Sequence, residues 1–212
     1  MAKNKKKNKT YSTLKKLLTG PIKLFFGLKS FGTENIPDDR GVILCANHTS
    51  LFDVFVMSAS SDVQIRYMAK KELFGIPLLG SLIRALGAFP VDRKGGDVAA
   101  LRKTVSMLGE GSAVGIFPQG TRHAHKKLRE TEVQHGVGLI AYRAKCDIVP
   151  VYIQTKNNHV RPFKKTKIYY GEPIPYESLG FENGGKEEYK SASELVFDRI
   201  CSICESVEES NG

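Results

Sequence analysis

A histidine and an aspartate five residues apart form a pair whose side chains could support acid–base chemistry. His48 and Asp53 are the second and last residues of the run NHTSLFD. An imidazole that donates one N–H to a carboxylate keeps its other nitrogen available as a base. Residues five apart on a regular helix point about 140° from each other, because a helix turns once every 3.6 residues. The pair can therefore meet only if His48 lies on a loop before a helix that starts near Thr49 or Ser50, either of which could cap it.

The same pair also has a purely structural interpretation. A histidine in a polar capping turn can simply form a hydrogen bond, and histidines with such partners are common in structural roles. The run Val42–Ala46 that precedes the pair is short, apolar and β-branched, which is typical of a buried strand. An α/β protein places its active site at the end of such a strand. The pair alone leaves both interpretations open.

Two further segments place a cation just after a predicted strand. The segment GAFPVDR ends at Arg93, and the segment FPQGTR ends at Arg122. The turn at Gly120 and Thr121 offers backbone N–H groups, and an arginine offers a planar fork of donors, so together they suit a phosphate. Each signal is weak alone, because an arginine after a strand is usually only solvated.

Taken together and in order, these segments resemble the glycerolipid acyltransferase family, specifically its 1-acylglycerol-3-phosphate acyltransferases. The resemblance runs from about residue 32 to residue 175. It rests on four blocks: His-four residues-Asp at His48, Gly-x-Phe-x-x-x-Arg ending at Arg93, Phe-Pro-x-Gly-Thr-Arg ending at Arg122, and the Val-Pro-Val strand around Pro150. The segments ENIP, AKKELF and GEPI are also family-like.

The resemblance implies transfer of a fatty-acyl chain from a thioester to the free hydroxyl of 1-acylglycerol-3-phosphate, which gives phosphatidic acid. It implies that His48 is the general base and that Asp53 orients it. The substrate-binding residues that it implies are Arg93 and Arg122 on the phosphate, with Lys70, Gln119, Gly120, Thr121 and Pro150. Glycerol-3-phosphate or another lyso-lipid is the alternative acceptor, and a non-catalytic lipid-binding or nucleic-acid-binding protein is the less favoured alternative.

The donor that the family uses is a thioester of acyl-carrier protein or coenzyme A, and the resemblance implies no bound cofactor and no metal. A thioester leaves readily, so a base that activates the alcohol can suffice without a covalent acyl-enzyme. The sequence contains no Gly-x-Ser-x-Gly nucleophile motif. His123, His125 and His135 lie close in sequence, but no carboxylate pattern completes a recognised metal site.

The third block departs from the family pattern at two positions. Gln119 stands where the family usually has glutamate, and His123 stands where it usually has serine. Glutamine keeps the shape and the hydrogen bonding of glutamate but loses its charge. We therefore expect Gln119 to position Arg122 or the glycerol rather than to act as an acid or base.

Composition and charge limit the possible partners. The chain has 212 residues, enough for one domain, and a net charge of +10. This charge favours an anionic partner such as an acidic lipid, a phosphorylated metabolite, an acidic carrier protein or nucleic acid, although basic-aromatic nucleic-acid motifs are absent. The scattered cysteines and the lack of a signal peptide predict a reducing, cytoplasmic environment.

The first 31 residues predict a separate membrane-associating segment before an acyltransferase domain at 32–212. A lysine-rich tail is followed by an amphipathic stretch that is kinked or split near Gly20 and Pro21. This stretch either packs on its own domain or lies in the lipid interface. No run approaches the roughly 20 apolar residues of a membrane-spanning helix. We expect a peripheral protein on the cytoplasmic face of the membrane. The apolar side of the amphipathic stretch consists of Leu14, Leu18, Ile22, Phe25 and Leu28.

Strand and helix patterns alternate along the rest of the chain, which predicts an α/β fold. Its single domain should contain a mostly parallel or mixed sheet covered by helices on both faces. The predicted strands are 42–46, 64–69, 88–91, 113–117, 148–153 and 167–170. Helical patterns cover 98–108, 139–145 and 195–207, and the last includes Cys201 and Cys204 as core residues.

Overall fold

The computed structural model describes residues 9–91 and 98–210, with side chains from residue 11 onward. The lysine-rich tail before residue 9 lies outside the described residues. The helices and strands are α1 (Lys9–Phe25), β1 (Lys29–Phe31), β2 (Val42–Ala46), α2 (Asp53–Ser60), β3 (Ile65–Lys70), α3 (Leu79–Ala85), β4 (Phe89–Val91), α4 (Val98–Gly109), β5 (Ala113–Ile116), α5 (Gly136–Ala144), β6 (Asp147–Thr155), β7 (Thr166–Tyr170) and α6 (Lys186–Glu209).

The strands form a seven-stranded sheet in the order β1-β7-β6-β2-β5-β3-β4. All neighbouring pairs are parallel except β6 and β7, which are antiparallel. The central strand β2 is buried along its whole length, as its unbroken apolar sequence predicts for a sheet covered on both sides. The predicted α/β fold with a mostly parallel, mixed sheet is confirmed.

Helices cover both faces of this sheet. Alternate residues of a strand point to opposite faces, so each face has its own apolar cluster. Ile43 and Cys45 of β2 pack in one cluster with α4, α5 and α6. Val42 and Leu44 pack in a second cluster, with residues of α2 and with the chain at the end of α1. The helix coverage predicted from the sequence is therefore confirmed.

The sheet topology brings two sets of connections to one edge. The parallel strands β2, β5, β3 and β4 all end at this edge, so the loops that follow them meet there. Because β7 and β1 run in the opposite direction, they begin at the same edge. The end of α1 and the connection at 156–165 between β6 and β7 therefore also lie at this edge.

The N-terminal region differs from the sequence prediction in two ways. Helix α1 continues through Pro21 and ends at Phe25, so the helix is not split there. Residues 29–31, which the sequence assigned to the amphipathic stretch, form β1 and pair with β7. The sheet thus begins before the predicted boundary between residues 31 and 32, and the division into two functional parts stays a prediction.

The apolar residues of α1 fall into two groups. Leu14, Leu18 and Ile22 are half-buried on the side that packs on the domain. Leu17 and Leu24 instead face solvent. One apolar stripe of α1 therefore packs on the domain, while other apolar residues stay exposed. The structure is compatible with both alternatives, packing on the domain and contact with lipid. Along residues 9–91 and 98–210, no helix combines the length and the apolar character needed to cross a membrane.

Candidate active site

His48 and Asp53 meet directly in the turn between β2 and α2. Nδ1 of His48 lies 2.8 Å from Oδ2 of Asp53. The carboxylate is completely buried, whereas the histidine side chain is 17% exposed. If the carboxylate accepts the Nδ1 proton, Nε2 is left as the unprotonated nitrogen that can act as a base. The predicted pairing of these two side chains is present.

The turn that joins them is organised by the carboxylate of Asp53. Its Oδ2 accepts the backbone N–H groups of Thr49, at 2.6 Å, and Ser50, at 2.8 Å. Its Oδ1 accepts the hydroxyl of Thr49 at 3.1 Å. We expected α2 to start near Thr49 or Ser50 with one of them as its cap. It starts at Asp53 instead, because this side chain satisfies the N–H groups of the preceding turn.

Gln119 fixes the backbone of His48 from the neighbouring loop. Its Oε1 accepts the N–H of His48 at 2.6 Å, and its Nε2 donates to the hydroxyl of Thr131 at 2.7 Å. That hydroxyl in turn donates to the carbonyl of Leu128. The buried amide of Gln119 therefore uses both its acceptor and its donor, whereas an ionised carboxylate could only accept. The expected positioning role falls on His48, and no contact of Gln119 with Arg122 is seen among the described residues.

The same loop holds His48 by two further contacts. The N–H of His123 donates to the carbonyl of His48 at 2.9 Å. The ring of Phe117 stacks on the imidazole, with centroids 4.0 Å apart and planes inclined by 17°. Tyr67 of β3 lies parallel to Phe117 on the sheet, with 6.4 Å between ring centroids. The imidazole is thus restrained through its backbone, its Nδ1 and its ring face.

The predicted phosphate-binding turn is exposed beside this histidine. Gly120, Thr121 and Arg122 all face solvent, and Gly120 has a positive φ of 69°. The N–H of Gly120 donates to the carbonyl of Phe117 at 3.1 Å, so the turn itself uses this possible oxyanion donor. Arg122 forms no salt bridge with any described residue, which leaves its guanidinium available for an anion.

The other predicted substrate-binding residues have different surroundings. Lys70 is exposed at the end of β3, on the edge that carries His48. Pro150 is buried inside β6, where it pairs with Cys45 and packs against Gly171. Its substrate-binding role therefore stays a prediction without an exposed surface to support it. Arg93 lies outside the described residues.

Two residues that support the candidate site were not predicted from the sequence. Asn47 is buried and exchanges two hydrogen bonds with the backbone of Ile153 on β6, at 3.1 and 2.7 Å. Thr131 supports Gln119 from 12 positions away. Neither residue belongs to a periodic pattern. Only the position of Asn47, directly between a buried strand and His48, could have drawn attention to it.

The histidines after the third block do not form a metal centre among the described residues, where no group of three or more suitable ligands occurs. His123 Nε2 lies 3.1 Å from the Thr121 hydroxyl, and His125 contacts His159 edge to face. Cys201 is buried in the core, as predicted, and Cys204 is half-buried beside it. Both cysteines line a pocket of about 340 Å³ between α6 and the loop that carries Gln119.

The sequence matches the family model described as Acyltransferase over residues 28–154. It is 35% identical over 177 residues to the 1-acyl-sn-glycerol-3-phosphate acyltransferase of Bacillus subtilis, which covers 82% of this chain and 86% of that protein. It is 37% identical over 122 residues to the Streptococcus pneumoniae protein of the same name, across 56% of this chain and 44% of that protein.

The fold is similar to the crystal structure of the 1-acyl-sn-glycerophosphate (LPA) acyltransferase PlsC from Thermotoga maritima. The TM-score is 0.63 with 26% sequence identity, and the match covers 91% of this chain and 82% of that chain. The similarity therefore extends over most of both chains.

Proposed function

Because this chain belongs to the acyltransferase family, we propose that it transfers a fatty-acyl chain from a thioester to the free hydroxyl of 1-acylglycerol-3-phosphate, giving phosphatidic acid. The observation that carries the proposal is the 2.8 Å contact between His48 and the buried Asp53. A relative 35% identical over most of both chains has this activity in its name.

In the proposed reaction, Nε2 of His48 accepts the proton of the glycerol hydroxyl as its oxygen attacks the thioester carbonyl. Asp53 stabilises the imidazolium that forms. The tetrahedral intermediate then expels the thiolate, which takes the proton back from His48. One C–O bond forms, one C–S bond breaks, and no acyl-enzyme is needed.

The substrate phosphate would bind at the edge where the parallel strands end. Arg122 supports this role because it is exposed and forms no salt bridge within the described residues. It follows β5, the direct neighbour of β3, at whose end Lys70 lies. Arg93 follows β4 in the sequence and belongs to the same proposed group. Guanidinium groups suit this task, because they bind phosphate oxygens in a bidentate manner.

The acyl donor and the place of action are also part of this proposal. The donor is a thioester of acyl-carrier protein or of coenzyme A, both of which are anionic and suit a chain of net charge +10. The protein would act as a peripheral protein on an anionic membrane surface, on its cytoplasmic face. The exposed apolar and basic residues of α1 support the surface association.

The test is an assay of the purified full chain with lysophosphatidic acid and with glycerol-3-phosphate, each against both thioester donors. We expect phosphatidic acid from lysophosphatidic acid, and no product with the His48→Ala variant. Acylation of glycerol-3-phosphate alone would show that the acceptor is wrong. An absence of product from a folded wild-type chain with every combination would contradict the enzymatic function.

A further inference from the structure

Large apolar side chains are exposed on α1 and on the connection between β6 and β7. Leu17 and Leu24 are seven residues apart, so they lie on the same side of α1, two turns from each other. Leu24 is 81% exposed and Phe163, on the connection, is 78% exposed. Phe25, at the end of α1, contacts Phe163 and so joins the helix to the connection. We call Leu17, Leu24, Phe25 and Phe163 the α1–Phe163 surface.

Phe163 is held in an unusual backbone conformation. Its φ is +63°, which is uncommon for a bulky side chain and costs free energy. Its N–H donates to the carbonyl of Phe25 at 2.6 Å, and its ring meets the ring of Phe25 edge to face at 5.5 Å. The connection is thus attached to the end of α1 while most of the Phe163 ring stays in solvent. Folding alone gives no reason to maintain a strained, exposed phenylalanine.

The two segments that form this surface carry charges of a single sign. Helix α1 and residues 161–167 together contain eight lysine and arginine residues and no aspartate or glutamate. Lys23 precedes Leu24, and Arg161, Lys164 and Lys165 surround Phe163; all four are exposed. Apolar side chains between cations match a lipid interface, where the rings enter the acyl boundary and the cations contact anionic head groups.

We propose that the α1–Phe163 surface docks on an anionic lipid bilayer and that Phe163 is an insertion residue of this contact. The inference rests on the proposed function. It assigns to the connection between β6 and β7 a membrane-docking role that the sequence pattern predicts only for the N-terminal segment. The helix and the connection form one docking surface because the contacts of Phe25 join them.

Docking by this surface would bring the candidate active site to the lipid. The end of α1 and residues 156–165 lie at the edge of the sheet that carries His48. The N–H of Val160 donates to the Thr49 hydroxyl at 3.4 Å, so the connection touches the catalytic turn. The ring of Phe52, next to Asp53, lies 5.4 Å from that of Phe26. A lysolipid could then reach His48 while its acyl chain stays in the bilayer.

The test uses Phe163→Asn in the full chain, because asparagine removes the ring but tolerates a positive φ. Binding is measured by co-sedimentation with vesicles of phosphatidylcholine and phosphatidylglycerol in equal amounts. We expect vesicle affinity to fall about tenfold, from the loss of a buried phenylalanine, with an unchanged or higher melting temperature. The control Leu195→Asn, on α6 across the sheet and 38% exposed, should bind like the wild type.

A folded Phe163→Asn variant that binds these vesicles as tightly as the wild type would overturn the proposal. So would a lipid-free dimer, in analytical ultracentrifugation, that becomes monomeric in Phe163→Asn without loss of vesicle binding, because a second copy would then cover the surface. Activity on a short-chain lysophosphatidic acid below its micellar concentration is measured in parallel. If no variant and no wild type turns it over, the proposed function fails, while the vesicle result still decides the docking surface.

Discussion

At the scale of single residues, the buried carboxylate of Asp53 has two tasks, since it organises the turn before α2 and contacts His48. His48→Ala should lower the rate of phosphatidic acid formation about 10²–10⁴-fold, the range typical of a lost general base. Asp53→Asn should be severely impaired as well, because an amide cannot stabilise the imidazolium and can select the wrong tautomer. The double variant should be about as inactive as the worse single variant.

Circular dichroism and thermal melting should distinguish the variants at His48 and Asp53. His48 is partly exposed, so its alanine variant should keep the wild-type circular dichroism spectrum. Asp53 accepts four hydrogen bonds in the turn, so its asparagine variant should also melt at a lower temperature. A folded His48→Ala protein within threefold of the wild-type rate would refute the catalytic role of this histidine.

A second prediction concerns Gln119, whose amide accepts from His48 and donates to Thr131. Gln119→Leu removes both contacts and leaves the N–H of His48 buried without its acceptor, which costs about 1–3 kcal/mol. We expect lower stability and at least a tenfold lower rate. Gln119→Glu keeps the acceptor for His48, and the Thr131 hydroxyl can rotate to donate to the new carboxylate, so this variant should retain most of the activity. Equal rates for the leucine variant and the wild type would contradict a positioning role.

At the scale of elements, one glycine on β5 makes room for the aromatic stack behind His48. A Cβ at Gly115 would lie 2.3 Å from the Tyr67 ring, so this ring must move in Gly115→Ala. Overpacking of this kind costs about 1–3 kcal/mol. Because Tyr67 backs Phe117, and Phe117 stacks on the imidazole, we expect both the melting temperature and the turnover rate to fall.

The matched control for this substitution is Gly109→Ala at the end of α4. A Cβ there would meet nothing within 4 Å, so the variant should keep wild-type stability and rate. Loss of stability in Gly115→Ala at an unchanged turnover rate would indicate that the stack packs the sheet but does not position His48.

The sequence predicts the long elements and the edge of the sheet that carries the candidate site. Apolar runs such as Val42–Ala46 are stable only when buried in a sheet, and the polar residues that follow them must then lie at its edge. It does not predict β1, because Leu28 continues the apolar spacing of α1 up to that strand, or α3, whose seven residues include a glycine. It also does not predict that Leu17 and Leu24 face outward, because α1 is apolar on more than one side. The contact between Gln119 and Thr131 depends on how a loop folds back, which no local pattern encodes.

At the scale of the whole molecule, buried thiol and phenol groups should make the fold less stable at alkaline pH. Burial raises the pKa of the Cys45 thiol far above its usual range, and it raises the pKa values of Cys146 and Tyr170 to about 12. In the unfolded chain, thiols ionise near pH ~8.5 and phenols near pH ~10. These folded-state pKa values are raised, so the stability is full at lower pH and is lost as the pH rises above the unfolded values.

We expect the free energy of unfolding to be level up to about pH 8 and then to fall, by up to about 1.4 kcal/mol per pH unit for each such group. Urea denaturation between neutral pH and pH ~10 measures this slope. The Cys45→Ala variant should show a shallower slope, because it releases one proton fewer on unfolding. Parallel slopes for the two proteins would show that this thiol ionises equally in both states.

The loop that begins at Phe117 should make the protein lose activity at a lower temperature than the one at which its fold melts. It holds the backbone of His48 from both sides, through Gln119 and His123, yet much of it is exposed: residues 120–122, 125–127, 129 and 130. Such a loop opens at a lower free energy than the buried sheet unfolds. Brief heating should therefore inactivate the protein reversibly before its helical signal changes. Amide hydrogen exchange at His123 should be much faster than at Val114 in β5.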